Sequence, residues 1–238
     1  IFSFWPAPGD RRLEPDLVND VIAGWMRKLR YVRERGLGTL VREQGLGRLV
    51  ATFAGELSPG RNVHSMIAAA EARWAERHIR EQYSGAGEIV DLGCWAGSST
   101  IALAKGLAAN RAADKGRRKV QAYDEFIWRE WMNLTFAGAP LGDRYRPGES
   151  FLDLFHAQTR KWRDLIDVHP GDLLEVEWTG EPIEFLFLDV MKNWSLSHAV
   201  LRKFFPCLIP GVSIVQHQDY AHCYTPEIAL VMHRLRGY

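Results

Sequence analysis

The chain of 238 residues has little cysteine, no long apolar run and no excess of either charge. Its three cysteines, Cys94, Cys207 and Cys223, are odd in number, widely separated and unlike any zinc-ligand spacing. Neither a disulfide framework nor a structural metal is expected, and a reducing cytoplasm is the expected location. No segment reaches the roughly 18 uninterrupted apolar residues of a membrane span. The opening Ile1-Phe2-Ser3-Phe4-Trp5-Pro6 lacks the basic start and long apolar core of a signal peptide. With 30 basic and 29 acidic residues the formal net charge is +1, which removes any global electrostatic case for nucleic acid or a membrane surface. A P-loop is missing too, because no Gly-Lys-Ser/Thr closes a glycine turn, and Trp95 stands at the middle glycine of the dinucleotide fingerprint.

What is present is enough chain for one sizeable core with elaborations. Leu17, Val21, Ile22, Trp25, Leu29 and Val32 recur at helical spacing among Arg27, Lys28, Arg30, Arg33 and Arg35, and predict an amphipathic helix over 14–35. A glycine-punctuated stretch follows, then a strong helical run over 67–83. From residue 88 apolar runs alternate with helical segments, the signature of a parallel sheet with crossover helices. Residues 1–87 are therefore expected to form an N-terminal helical cap, and 88–238 an α/β core. Strands are predicted at 88–92, 119–123, 166–169, 183–188 and 212–216, and helices at 195–205 and 226–236. The stretch from about 125 to 163 is long and rich in Trp, Gly and Pro, and predicts an inserted loop acting as a lid.

The strongest functional signal is residues 88–100, where an apolar strand ending in Asp91 turns through Gly93, Trp95 and Gly97 into a helix capped by Ser98 or Ser99. Such a turn exposes backbone N–H groups to a polar, nucleotide-like ligand; the alternative is a turn built only for tight strand–helix packing. In an open α/β sheet, ligands bind at the carboxyl ends of the strands. There the second strand ends in Tyr123-Asp124-Glu125, and Asp124 is the candidate for accepting ribose hydroxyls, with Glu125 or a merely solvated loop as alternatives. The fourth strand ends in Asp189, followed by Met191, Lys192 and Asn193; the fifth ends in Gln216-His217-Gln218-Asp219-Tyr220. Asp189 and Asp219, with Gln218 or Asn193, offer oxygen ligands to a hard cation such as Mg²⁺, which would polarise a substrate hydroxyl. His217 or His222 offers an imidazole to take its proton. The alternative is that these groups only hydrogen-bond strand ends.

His64-Ser65-Met66-Ile67 before a helix, the Asp91-Leu-Gly-Cys-Trp-Ala-Gly97 turn, an aspartate after the fourth strand and Gln218-Asp219-Tyr220 together resemble the macrocin O-methyltransferase family of class I methyltransferases, over roughly residues 37–225. The resemblance implies a Rossmann-like methyltransferase sheet and methyl transfer from S-adenosylmethionine to a sugar, glycan or natural-product hydroxyl. It implies Mg²⁺ bound by aspartates after strands four and five, and, from Gly171-Asp172, a position for Asp172 near the adenine; a plain turn is the alternative there. The pattern is incomplete: Val190 and Met191 stand in the family's Asp-Gly-Asp motif, and Gln218 replaces the first acid of its Asp-Asp-Tyr. The two closing strands of such a sheet are also missing, so the chain reads as C-terminally incomplete, or as a homo-oligomer in which another copy covers the edge. Two other functions stay open. Arg111, Lys115, Arg117, Arg118 and Lys119 suit an RNA methyltransferase, and the degraded acidic motif suits a non-catalytic cofactor-binding domain.

Overall fold

A computed structural model describes residues 65–136, 141–220 and 226–234. The helix expected at 14–35 lies outside the described residues. Helix α1 (Ala69–Glu81) leads to β1 (Glu88–Leu92), α2 (Ser98–Ala109) and β2 (Val120–Asp124). Then come α3 (Glu130–Thr135), α4 (Leu152–Thr159), a 3₁₀ turn over Arg160–Leu165 and β3 (Ile166–Pro170). The chain continues through β4 (Ile183–Leu188), α5 (Trp194–Lys203), β5 (Ile214–His217) and α6 (Pro226–Arg234). Among the described residues no helix is long and apolar enough to cross a membrane.

The five strands form one parallel sheet in the order β3-β2-β1-β4-β5. Both faces are covered, which is why every residue of β1 and β4 is buried and their apolar side chains do not alternate with solvent-facing ones. Val90, Leu92, Leu186 and Leu188 turn to the face shared with Val200 of α5, Phe204 just after it and Ile228 of α6. Ile89, Phe185 and Phe187 turn the other way, against Ala75 and Ile79 of α1 and Leu103 and Leu107 of α2. Helices α1 and α2 touch backbone to backbone: a Cβ at Gly106 would lie 2.5 Å from the Glu76 carbonyl oxygen. Asn110 ties the same junction, donating to the carbonyls of Ile79 at 2.7 Å and Tyr83 at 2.8 Å.

The insert corrects the expected lid. Phe126, Trp128, Phe151 and Phe155 are buried in the core, Trp128 at 0% exposure, and they meet mostly edge to face. Its backbone is tied to itself through Trp128 N–H to Glu149 O and Phe151 N–H to Phe126 O, at 2.8 and 2.9 Å. This much aromatic area drives burial, so the segment is a wall of the fold carrying helices of its own. Strand β5 begins two residues later than expected, because Ser213 closes a turn onto the Ile209 carbonyl and its hydroxyl donates to Ile183 O.

The basic run before β2 is also resolved by the topology. It lies at the amino end of a parallel strand, opposite the carboxyl ends where ligands bind. Arg118 is buried there against Glu88 and donates to the Gly85 carbonyl; Lys115 caps the Asn110 carbonyl, and Lys119 pairs with Asp167 at 2.8 Å. Of the five cations of this run, Arg118 and Lys119 thus bind residues of β1 and β3, and Lys115 binds the carbonyl at the end of α2.

Candidate functional site

Strand order reverses direction at β1: the chain builds outward through β2 and β3, then returns to place β4 on the other side. The carboxyl ends of β1 and β4 diverge at such a switch point and leave a crevice. Gly93 sits at its floor with φ +84°, and a Cβ there would lie 2.6 Å from Val190 Cγ1 and 2.9 Å from the Asp189 carbonyl oxygen. Gly97, φ +95°, is the residue preceding α2; its N–H donates to Cys94 O at 2.8 Å, and a Cβ would meet Thr159 and the Phe155 ring. This corrects the expected serine cap. The Ser99 hydroxyl instead donates to Asp91 Oδ2 at 2.9 Å, joined by Thr100 at 2.6 Å, while Ser98 is half-buried at the first position of the helix. The first turn of α2 thus opens on the crevice with N–H groups that have no partner within the helix. Gln158 of α4 donates to the Ala96 carbonyl at 2.6 Å, so the insert braces the turn from behind.

Asp91 is fully buried, and its second oxygen, Oδ1, has no partner. Burial pushes its carboxyl up to about 7 against the pull of the Thr100 and Ser99 hydroxyls. Asp124 accepts the Trp95 N–H at 2.9 Å on one oxygen and the Phe126 N–H at 2.8 Å on the other, so it pins the glycine turn to the end of β2; burial pushes it up to about 6. Its rival Glu125 faces outward and pairs with Arg129. Trp95 takes a left-handed φ of +42° and stacks on Phe136 at 5.3 Å, 8° from parallel, with its buried indole N–H unpartnered. Asp172 is exposed and accepts the Leu174 N–H at 2.9 Å, as a turn-capping aspartate does.

Across the crevice, β4 delivers Asp189 and β5 delivers Asp219. Lys192 lies between them, its ammonium donating to Asp189 Oδ1 at 2.6 Å and to Asp219 Oδ2. Burial pushes Asp189 up to about 6, while Lys192 pulls it down. Gln218, with its amide nitrogen toward Glu71 of α1, donates to both carboxylate oxygens at 3.0 Å. Glu71 is 5% exposed, accepts the Ala68 N–H at 2.8 Å as the reciprocal half of a capping box, and is pushed up to about 7 by burial. Asn193 caps α5 by accepting the Leu196 N–H. His217 is 3% exposed, neither ring nitrogen has a partner, and burial lowers its pKa to about 4. His222 lies outside the described residues. The carboxylates are close enough to raise one another: Asp91 feels Asp189 and Asp124, and Asp189 feels Asp219.

Among solved structures the chain is similar to the O-methyltransferase NovP, at 16% identity over 74% of each chain, with a TM-score of 0.54. The chain has the class I methyltransferase fold. It is also similar to apo CalS11, a TDP-rhamnose 3′-O-methyltransferase of calicheamicin biosynthesis, at 16% identity over 69% of this chain and 68% of that one, TM-score 0.48. Coclaurine N-methyltransferase, bound to N-methylheliamine and SAH, is 13% identical over 85% of this chain and 57% of that one, TM-score 0.39. No protein-family model and no curated protein matches the sequence.

Within this methyltransferase fold the two groups expected at the site fare differently. An S-adenosylmethionine fits the residues on the β1 side: the buried, unpartnered Asp91 Oδ1 needs a donor, and the amino group of that molecule is one. Asp124 keeps free lone pairs for ribose hydroxyls. A Mg²⁺ ion held by Asp189, Asp219 and Gln218 does not fit. The two carboxylates already share an ammonium, the Gln218 amide points its nitrogen at Glu71, and among the described residues no three His, Cys, Asp or Glu side chains are grouped to hold a metal. The sequence placed Lys192 at the crevice without giving it a role, and missed Glu71. The signal for Lys192 was a cation three residues after the aspartate ending β4; Glu71 showed only as an acid in a helical first turn.

Proposed function

We propose that the protein is an S-adenosylmethionine-dependent methyltransferase acting on a hydroxyl of a sugar, glycan or natural-product small molecule. The observation that carries the reading is the switch-point crevice itself. One wall is a glycine turn between Asp91 and Asp124; the other is a corner of alternating donors and acceptors formed by Asp189, Lys192 and Asp219. When bound, the cofactor would supply an electrophilic methyl group that passes in line from its sulfonium sulfur to the acceptor oxygen, with the neutral thioether as leaving group.

The chain's own residues have three tasks. Gly93 and Gly97 let the turn pack against Asp189 and Phe155 and so shape the crevice floor, and Asp91 and Asp124 fix the cofactor's amino group and ribose. The Asp189–Lys192–Asp219 corner aligns the acceptor oxygen, which is where most of the rate is gained when two reactants are held in near-attack geometry. Asp189 and Asp219 are the carboxylates placed to receive the hydroxyl proton, since the ring of His217 is closed off beneath them. The natural-product hydroxyl is favoured over RNA because the basic run stands at the other end of the sheet.

Calorimetry with adenosylhomocysteine tests the cofactor, and mass-spectrometric detection of methylated product from a panel of glycosides tests turnover. Asp219→Asn should lower kcat by roughly 10²–10⁴ with adenosylhomocysteine binding kept, and His217→Phe should leave kcat within about threefold. Unchanged transfer in Asp219→Asn, or a loss of that size in His217→Phe, would overturn the assignment of roles. Binding of adenosylhomocysteine without turnover on any acceptor would favour the non-catalytic cofactor-binding domain.

A further inference from the structure

We infer that Lys192 is the site's built-in cation: its ammonium, bound between Asp189 and Asp219, stands where those two carboxylates would otherwise hold a divalent metal, and it orients the acceptor hydroxyl in that metal's place. The inference deepens the methyltransferase reading and rests on it for the word acceptor; the exclusion of metal rests on geometry alone.

Three observations support it. Lys192 reaches both carboxylates at once, one from the end of β4 and one from the end of β5, so a single side chain neutralises the pair across two strands. Its backbone is bent to do so, because the Lys192 N–H donates to the Val190 carbonyl at 2.7 Å, in a tight turn immediately after β4. The third candidate ligand is tied elsewhere by one end of its amide, since the Gln218 nitrogen donates to Glu71. A divalent ion binding here would have to displace the ammonium and bring it no new ligand. An ammonium carries three donors in a tetrahedral arrangement. Two are taken by Asp189 and Asp219, and with 45% of the side chain exposed the third remains open to the crevice. A hydroxyl oxygen accepting that N–H lies beside two carboxylate oxygens able to take its proton. Such a corner recognises a neutral polyol, and it keeps the lone pair of the attacking oxygen fixed without Lewis-acid help.

The test is Mn²⁺ binding, followed by calorimetry and by the paramagnetic signal of the ion, in the wild type, Lys192→Ala, Lys192→Met and Lys192→Ala/Asp189→Asn, each first shown to be folded by its thermal transition. The wild type is expected to bind Mn²⁺ no better than the double variant. Removing the ammonium should free the two carboxylates and tighten Mn²⁺ by about tenfold or more in both single variants, because two close anions then lack a counter-charge. Methyl transfer by the wild type should be indifferent to EDTA. Lys192→Arg should keep Mn²⁺ out as the wild type does. Wild-type Mn²⁺ affinity equal to that of Lys192→Ala, and lost in Asp189→Asn, would overturn the inference, as would transfer that stops in EDTA and returns with Mg²⁺. Failure to bind adenosylhomocysteine would instead refute the methyltransferase reading and leave the Mn²⁺ result standing.

Discussion

Replacing Gly93 with alanine tests the close approach on which the crevice depends. The residue has φ +84°, a conformation that costs an L-residue about 1–2 kcal/mol. Its new methyl would also stand 2.6 Å from Val190 Cγ1 and 2.9 Å from the Asp189 carbonyl oxygen. The valine methyl can rotate, but the carbonyl belongs to the backbone that continues β4 and donates from Asp189 N–H to Leu92 O at 2.9 Å. Overpacking against such a group costs about 1–3 kcal/mol, so the whole change destabilises the fold by roughly 2–5 kcal/mol. In a chain of this size that is a fall in Tm of roughly 4–20 °C.

Gly148→Ala is the matched control. Gly148 has φ +92° but nothing within 4 Å of its added methyl, so only the dihedral cost of about 1–2 kcal/mol applies. Urea denaturation of both variants separates the two contributions, and calorimetry with adenosylhomocysteine reads the crevice directly. Gly93→Ala should weaken binding, because β1 and β4 must part at the floor of the site, whereas Gly148→Ala should not change it. Equal losses of stability in the two variants, with equal binding, would show that Gly93 does not lie against Asp189 and would remove the argument for a backbone-lined floor.

Two further outcomes follow from the same geometry. Arg118→Met should strand the buried Glu88 carboxylate and cost about 3–5 kcal/mol in urea denaturation while leaving adenosylhomocysteine affinity intact; a loss below about 1 kcal/mol would mean the pair is solvated and the basic run available to a polyanion. Burial raises Asp91 in the folded state from 3.8 to about 7, so this group favours folding fully below pH 4, and that contribution is lost as pH rises toward 7. The stability of the wild type relative to Asp91→Asn should therefore fall across pH 4–7, by roughly 4 kcal/mol at most. Saturating S-adenosylmethionine should flatten the slope by pairing the carboxylate with its amino group. A difference that does not vary with pH would show that Asp91 is not buried.

The parts of the fold legible in the sequence are those whose chemistry is local. Strands β1 and β4 carry adjacent apolar residues such as Ile89-Val90 and Phe185-Leu186-Phe187-Leu188 because both faces are covered, and a turn with Gly93 and Gly97 admits few other geometries. The remaining features depended on choices that a sequence leaves open. A serine hydroxyl at position 99 can cap a helix or bond a buried carboxylate, and only the depth of Asp91 decides that it does the second. Tryptophans at 128 and 131 suit a lid or a core equally; Trp128 is buried completely and Trp131 is 45% exposed. Lys192 and Asp219 are loop charges 27 positions apart, and Glu71 lies on a helix that precedes the sheet, so their meeting is a product of topology rather than of spacing.

The same topology divides the charge of the crevice. Asp91 and Asp124 receive only hydroxyl and backbone N–H donors from the chain, so on the β1–β2 side burial raises both carboxyls and no cation of the chain offsets it. A positively charged ligand gains most there, and S-adenosylmethionine carries positive charge at both its sulfonium and its amino group. Asp189 and Asp219 have Lys192, so the β4–β5 side is close to neutral and offers donors and acceptors in alternation. A second cation gains little on that side, whether a metal or a basic substrate, and a polyol gains hydrogen bonds without losing a charge to burial. Under the proposed function, the preference for cofactor on one side and for acceptor on the other rests on a single difference, namely which pair of aspartates the fold provides with a lysine.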